Sequence, residues 1–153
     1  VSLVSLVVSL ILTRLDYGSA TLAGLPGCLL DRLQSVLNAA ARLVYSARKY
    51  DHVTPLLREL HWLRVPERIQ FRLAVLVFRC QHDIAPPYLS ATLHRVADLD
   101  SRRRLRSSST SALVVSRTAH STIGDRVLPV AAARAWNSLP PAVTSAPSLS
   151  TFK

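Results

Sequence analysis

"LLDRLQSVLNAAARLV", residues 29 to 44, is the stretch that decides the fold. Its apolar side chains fall at 29, 30, 33, 36, 37, 40, 43 and 44, the spacing of one face of an α-helix. Asp31, Gln34, Ser35, Asn38 and Arg42 take the other side. Pro26-Gly27 marks the turn ahead of this helix, and "SARKYDH" is its polar exit.

Downstream the helical pattern repeats. In "TPLLREL" Thr54 reads as an N-cap with Pro55 at the first helical position, and Leu57 stands where a capping box would place Glu. After Pro66, "ERIQFRLAVLVFRCQH" runs for about four turns. At roughly 100° per residue, its Arg68, Arg72 and Arg79 form one narrow basic stripe on an otherwise apolar helix. "IAPPYLSATLHRV" restarts after a double proline and ends in another short helix.

Upstream, "VSLVSLVVSLIL" is twelve residues long, short of the roughly 20 that a membrane-spanning helix needs. It also lacks the charged start and small-residue cleavage site of a signal peptide. It reads as a helix from a larger core that leaves apolar surface exposed, and no membrane partner is expected.

From residue 98 the chemistry changes. "DLDSRRRLRSSSTSALVVSRTAHSTIGDRVLPV" has little helical periodicity, many hydroxyls and a β-branched patch at Val114 and Val115. "LPVAAARAWNSL" then returns to helix, with Pro129 in its first turn and Pro140-Pro141 as its stop. The expectation is a mainly α protein. Residues 1–97 form a helical bundle, 98–127 a basic, irregular arm with one or two short strands, and 128–153 a closing C-terminal helix and tail.

The chain has 153 residues, 49% of them hydrophobic, enough for one domain with a moderate core. Nineteen Lys and Arg against nine Asp and Glu give a net charge of +10. Only Lys49 and Lys153 are lysines, so the excess is arginine, the side chain that grips phosphate bidentately and stacks on bases. Such a field selects polyanions, nucleic acid first and acidic membrane or protein surfaces second. Base composition of the coding sequence gives the same arginine bias without any function.

Catalytic chemistry finds little purchase. The nine acids are scattered and contain no paired-carboxylate motif. His52, His61, His82, His94 and His120 show no metal-ligand spacing, so neither a catalytic nor a metal residue is assigned. "LAGLPG" and "TIGDR" lack the spacing of a phosphate cradle. Cys28 and Cys80 form no C-x-x-C pair, which suits a reduced intracellular compartment, nucleus or cytoplasm. The absence of methionine, even at position 1, reads as a fragment or processed segment.

The strongest electrostatic signal is "SRRRLRSSSTS". Arg102, Arg103, Arg104 and Arg106 beside a serine run suit an arm that tracks phosphates; a solvated linker and a nuclear-import patch are the other readings. Trp62, between Leu60 and Leu63, reads as a core-closing anchor, with stacking on a base as the lesser alternative. Trp136, with Ala132 and Leu139 at i−4 and i+3, reads as a second anchor.

Several stretches together resemble a known family: "RLDYGSATLAGLPGCLLDRLQSVLNAAARLV", "YDHVTPLLRELHWLRVPERIQFRL", "APPYLS", "LRSSSTSALVVSRT", "IGDRVLPVAAARAWNSLPPAV" and "APSLSTFK". In this order they look like the carboxy-terminal part of non-LTR (LINE-type, jockey-like) retrotransposon reverse transcriptases, downstream of the polymerase palm. The chain departs from that family at Gly18-Ser19, where members often carry Cys-Asn, and at Arg64, where they often carry proline.

The resemblance implies a helical, thumb-like region with a basic tail that holds the template-primer duplex of RNA and DNA and adjoins the upstream palm of the same polypeptide. The family's Tyr-x-Asp-Asp box is absent, and the sequence has no Asp-Asp pair. No polymerase activity and no cofactor are therefore expected here; the magnesium implied by the resemblance belongs to the parent polymerase. On this reading Arg68, Arg72 and Arg79 face phosphates and Arg102 to Arg106 form a clamp. The alternatives are a helical protein-interaction or structural module, and a decayed transposon remnant without function.

Overall fold

A computed structural model describes residues 2–99, 111–119 and 121–152, and the protein is mainly α-helical. The chain falls into two compact units, Val1–Gln70 and Phe71–Lys153. The division lies inside a helix, whereas the sequence boundaries at 97 and 127 follow composition.

The first unit opens with α1 (Leu3–Val7) and α2 (Thr13–Tyr17), joined through a wider π-helical turn at Val8–Leu12. Val7 and Leu12 are buried, while Leu3, Val4, Leu6, Val8 and Leu10 are exposed. A short α3 (Ser19–Leu22) and a turn at Gly24, whose φ of 73° glycine adopts without strain, lead into α4 (Gly27–Val44). Leu37, Ala40 and Ala41 carry the burial of α4, and it packs against both α1 and α5 (Val53–Glu59). The start of α5 differs from the sequence expectation. His52, with extended backbone, sits at the N-cap, and Thr54 lies inside the first turn. No side-chain cap bond is made there, so the capping preference of threonine had no hold on the helix start.

α6 (Val65–Gln81) begins with two side-chain contributions. The Val65 N–H donates to Gln34 Oε1 of α4 at 2.8 Å. The Arg64 N–H donates to Glu67 Oε2 at 3.3 Å, half of a capping box. Pro66 has no N–H to satisfy. Gln34 is itself oriented by a bond from its amide to Asn38 Oδ1 at 2.8 Å, so the polar side of α4 positions the next long helix.

α4, α5 and α6 all stop the same way. The residue beyond each C-cap is left-handed: Ser46 at φ 50°, His61 at 54° and Asp83 at 56°. In each case the next N–H reaches five residues back, Ala47 to Arg42 at 2.9 Å, Trp62 to Leu57 at 2.8 Å and Ile84 to Arg79 at 2.9 Å. These are Schellman stops built without glycine.

In the second unit, α6 continues through Ala74, Val75, Val77 and Phe78 into a core shared with Leu113, Ala132, Ala133, Trp136, Ala146 and Phe152. α7 (Pro87–Ser90) follows the double proline, and a 3-10 turn spans Val96–Asp98. The short strands expected around Val114 and Val115 reduce, among the described residues, to one antiparallel bridge between Arg95 and Leu113. Two backbone bonds make it, Val96 N–H to Ala112 O at 3.0 Å and Val114 N–H to His94 O at 2.8 Å. The other edge of this segment is taken by side chains, which leaves no room for a neighbouring strand.

α8 (Ser121–Gly124) adds a helical turn inside the stretch read as irregular, and α9 (Leu128–Asn137) follows with Pro129 in its first turn. α9 buries Ala131, Ala132, Ala133, Ala135 and Trp136 on packed faces, where alanine lets the backbone come close. Pro140-Pro141 does more than stop it. Pro140 is the N-cap and Pro141 the first residue of α10 (Pro141–Thr144), after which α11 (Leu149–Phe152) closes the chain. Phe152 returns to the core between Phe78, at 4.8 Å between ring centroids, and Trp136, at 5.8 Å.

Candidate nucleic-acid interface

The corner between α5 and α6 collects the most chemistry in the first unit. The left-handed turn at His61 sends the chain back on itself, so that Thr54, Leu57 and Arg58 of α5 face Trp62, Leu63 and Arg64 of the connection and Glu67 of α6. They line an open hollow of about 520 Å³, to which His61 also contributes. Leu57 is buried beneath it, Trp62 is half-buried, and Arg58 and Arg64 are exposed. The hollow therefore offers an indole and two guanidinium groups, with Glu67 turned toward the Arg64 main chain.

The three arginines of the α6 stripe differ in their surroundings. Arg68 forms a two-pronged pair with Asp16, Nε to Oδ1 at 2.6 Å and an Nη to Oδ2 at 2.9 Å. Both side chains are about one-fifth exposed, at 19% and 20%. This pair ties α2 to α6 within the first unit, and a phosphate would have to displace a carboxylate already seated in the same geometry. Arg72 and Arg79 are exposed on the part of α6 that belongs to the second unit. Arg102, Arg103, Arg104 and Arg106 lie outside the described residues.

Trp136 is 1% exposed, and its indole N–H donates to the Ser111 carbonyl at 2.9 Å. The adjacent Asn137 completes a clasp. Its Oδ1 accepts from the Leu113 N–H at 2.9 Å and its Nδ2 donates to the Leu113 carbonyl, also at 2.9 Å. An asparagine amide thus takes the place of a partner strand along the free edge of residues 111–113. Sequence reasoning passed over Asn137, although its amide, with one donor side and one acceptor side, matches a peptide edge.

A second polar cluster joins Arg134 of α9 to the segment that precedes the helix. Asp125 accepts from Thr118 Oγ1 at 3.0 Å and pairs with both terminal nitrogens of Arg134 at 3.0 Å. The Arg134 hydrogen bond, and then that of Thr118, hold the Asp125 carboxyl below the usual carboxylate range. Gly124 is required beside it, because a Cβ there would come within 2.3 Å of Thr118 Cβ. "SRT", "IGDR" and "AAARAWN" meet here as one structural corner.

The cysteines and Tyr45 stand in different surroundings. Burial pushes the Cys80 thiol up, with a bond from Ser90 drawing it partly back, so it stays protonated at neutral pH. Burial, followed by the charge of Glu59 and a hydrogen bond to it, raises the Tyr45 hydroxyl. Cys28 is exposed and unbridged. Among the described residues, no group of three or more His, Cys, Asp or Glu side chains is placed to hold a metal ion. No helix among them is long and apolar enough to cross a membrane.

No family model, no curated protein and no solved structure matches the chain.

Proposed function

We propose that this chain is a non-catalytic nucleic-acid-binding region, of the kind that follows the palm in non-LTR retrotransposon reverse transcriptases. The observation that carries the reading is charge: +10 over 153 residues, almost all of the excess arginine. In the first unit, Arg58 and Arg64 stand exposed around the half-buried Trp62 indole; in the second, Arg72 and Arg79 are exposed on α6. By sequence, Arg102, Arg103, Arg104 and Arg106 add the densest run of positive charge. Arg68 drops out of the phosphate-facing set, because Asp16 already fills its fork.

The proposed partner is a template-primer duplex of RNA and DNA, held through phosphates and largely independent of sequence. The chain would act inside the cell, nucleus or cytoplasm, beside the palm that supplies the chemistry and its magnesium. Replacing Arg102, Arg103, Arg104 and Arg106 together by Gln tests the clamp. Lost duplex binding with unchanged helicity supports it, and unchanged binding refutes it.

One observation favours a second reading, a protein-interaction module. Leu3, Leu6 and Leu10 are 44%, 46% and 65% exposed on the opening helix. An apolar face of this kind is suited to burial against another protein surface. Under this reading the arginines serve solubility, and the Gln variant binds its partner as the parent does.

A further inference from the structure

We infer that the hollow between α5 and α6 is a subsite for an unstacked nucleotide, which Trp62 receives on its ring while Arg58 and Arg64 hold the flanking phosphates. The inference rests on the nucleic-acid reading and narrows it to one place and one form of ligand. At about 520 Å³ the hollow lies within the range of small-molecule sites, roughly 300–1,000 Å³. Its contents match the two halves of a nucleotide. The indole is half-buried, so its body is fixed while part of its surface faces the hollow. A fixed aromatic surface of this type stacks on any base, because every base has a π-face.

The two guanidinium groups come from different elements that line the hollow, Arg58 from the last turn of α5 and Arg64 from the residue before α6. Each can take a phosphate oxygen pair in the planar, two-pronged manner that arginine favours. Glu67 leaves the hollow with net positive charge and is drawn toward the Arg64 N–H. Left-handed His61 and the 2.8 Å bond from the Trp62 N–H to Leu57 fix the position of the indole relative to α5. A base within a duplex cannot reach the ring, since its faces are already covered by its neighbours. The ligand is therefore a single strand or the frayed end of a duplex.

The two tryptophans make this testable in the full chain, because Trp136 is 1% exposed and Trp62 is not. Oligothymidylate is titrated while binding is read by anisotropy of a labelled strand and stacking by tryptophan emission. An abasic strand of equal length and a blunt duplex are run beside it. The expected result is quenching by oligothymidylate and little by the other two, with Trp62→Ala weakening the single strand about tenfold or more and the duplex far less. Trp62→Phe retains a ring and most of the affinity, which separates stacking from folding. Arg58→Gln and Arg64→Gln weaken the single strand while leaving the helical circular dichroism unchanged.

Normal binding of all three ligands without quenching, and without loss in Trp62→Ala, overturns the subsite and leaves the wider reading intact. Binding of none overturns both. Quenching by polyglutamate as strong as by oligothymidylate reassigns the hollow to acidic peptide and also overturns the inference.

Discussion

Replacing Asn137 by Ala removes the side chain that stands in for a strand along residues 111–113. Leu113 is 3% exposed, and its N–H and C=O both point to the Asn137 amide, each at 2.9 Å. The bridge to residues 94–96 does not relieve them, since it uses Ala112 O and Val114 N–H. Truncation thus leaves a donor and an acceptor without partners at a part-buried site. At about 1–3 kcal/mol for each unsatisfied group, and with some access of water, the loss is about 2–4 kcal/mol.

Asn137→Asp is the sharper variant. It keeps an acceptor for the Leu113 N–H but turns a second oxygen toward the Leu113 carbonyl. The new carboxyl is then held above its unfolded value, since protonation restores the missing donor. A group raised in the folded state contributes stability below its unfolded pKa and loses it as pH rises through the folded one, so this variant recovers as the solution is acidified. Urea unfolding in a Trp62→Phe background measures both, because the remaining emission comes from Trp136 in the second unit. A change of less than about 0.5 kcal/mol for Asn137→Ala, the range of an ordinary surface substitution, refutes the clasp.

Two further outcomes follow from the helix stops and the α9 corner. Glycine at Ser46, His61 or Asp83 removes left-handed strain of about 1–2 kcal/mol and adds about 0.5–1 kcal/mol of chain entropy. Each should therefore leave stability unchanged or raise it slightly in thermal melts, whereas valine at the same position lowers it; a glycine that destabilises clearly contradicts the left-handed geometry. The Asp125 carboxyl is held below its ordinary value by Arg134 and then Thr118. Its contribution is complete above the unfolded carboxylate pKa and is lost as pH falls through the folded value. Asp125→Asn should flatten the acid limb of a stability-versus-pH curve, and an unchanged limb shows that the pair adds nothing.

Helices were legible where an apolar face repeated over several turns. "LLDRLQSVLNAAARLV" and "ERIQFRLAVLVFRCQH" lie within α4 and at the body of α6, because periodic burial overrides local choices at the ends. The stops were less legible: Ser46, His61 and Asp83 occupy positions where a reader looks for glycine. The strands around Val114 failed for a different reason. β-branched residues mark an extended segment, but its pairing edge is closed by Trp136 and Asn137, over twenty residues away, which no local pattern displays.

Site residues show the same division. Helical angle groups Arg68 with Arg72 and Arg79, but it carries no information about Asp16, which lies 52 residues earlier and pairs with Arg68. Trp62 was visible as a residue between leucines. The hollow around it depends on the chain reversal at His61, which brings Arg58 and Arg64 to the same hollow as the indole.

The central claim is that arginines grip the phosphates of a duplex, and the salt dependence of duplex affinity tests it most directly. Neutralising about four phosphates gives a slope near −3.6 in log affinity against log salt, or about a 150-fold loss over a fourfold rise in salt. The account predicts a slope of at least this steepness for the full chain, and a markedly shallower one when Arg102, Arg103, Arg104 and Arg106 are all Gln. A duplex affinity that stays level as salt rises, or a slope the four substitutions leave untouched, contradicts it.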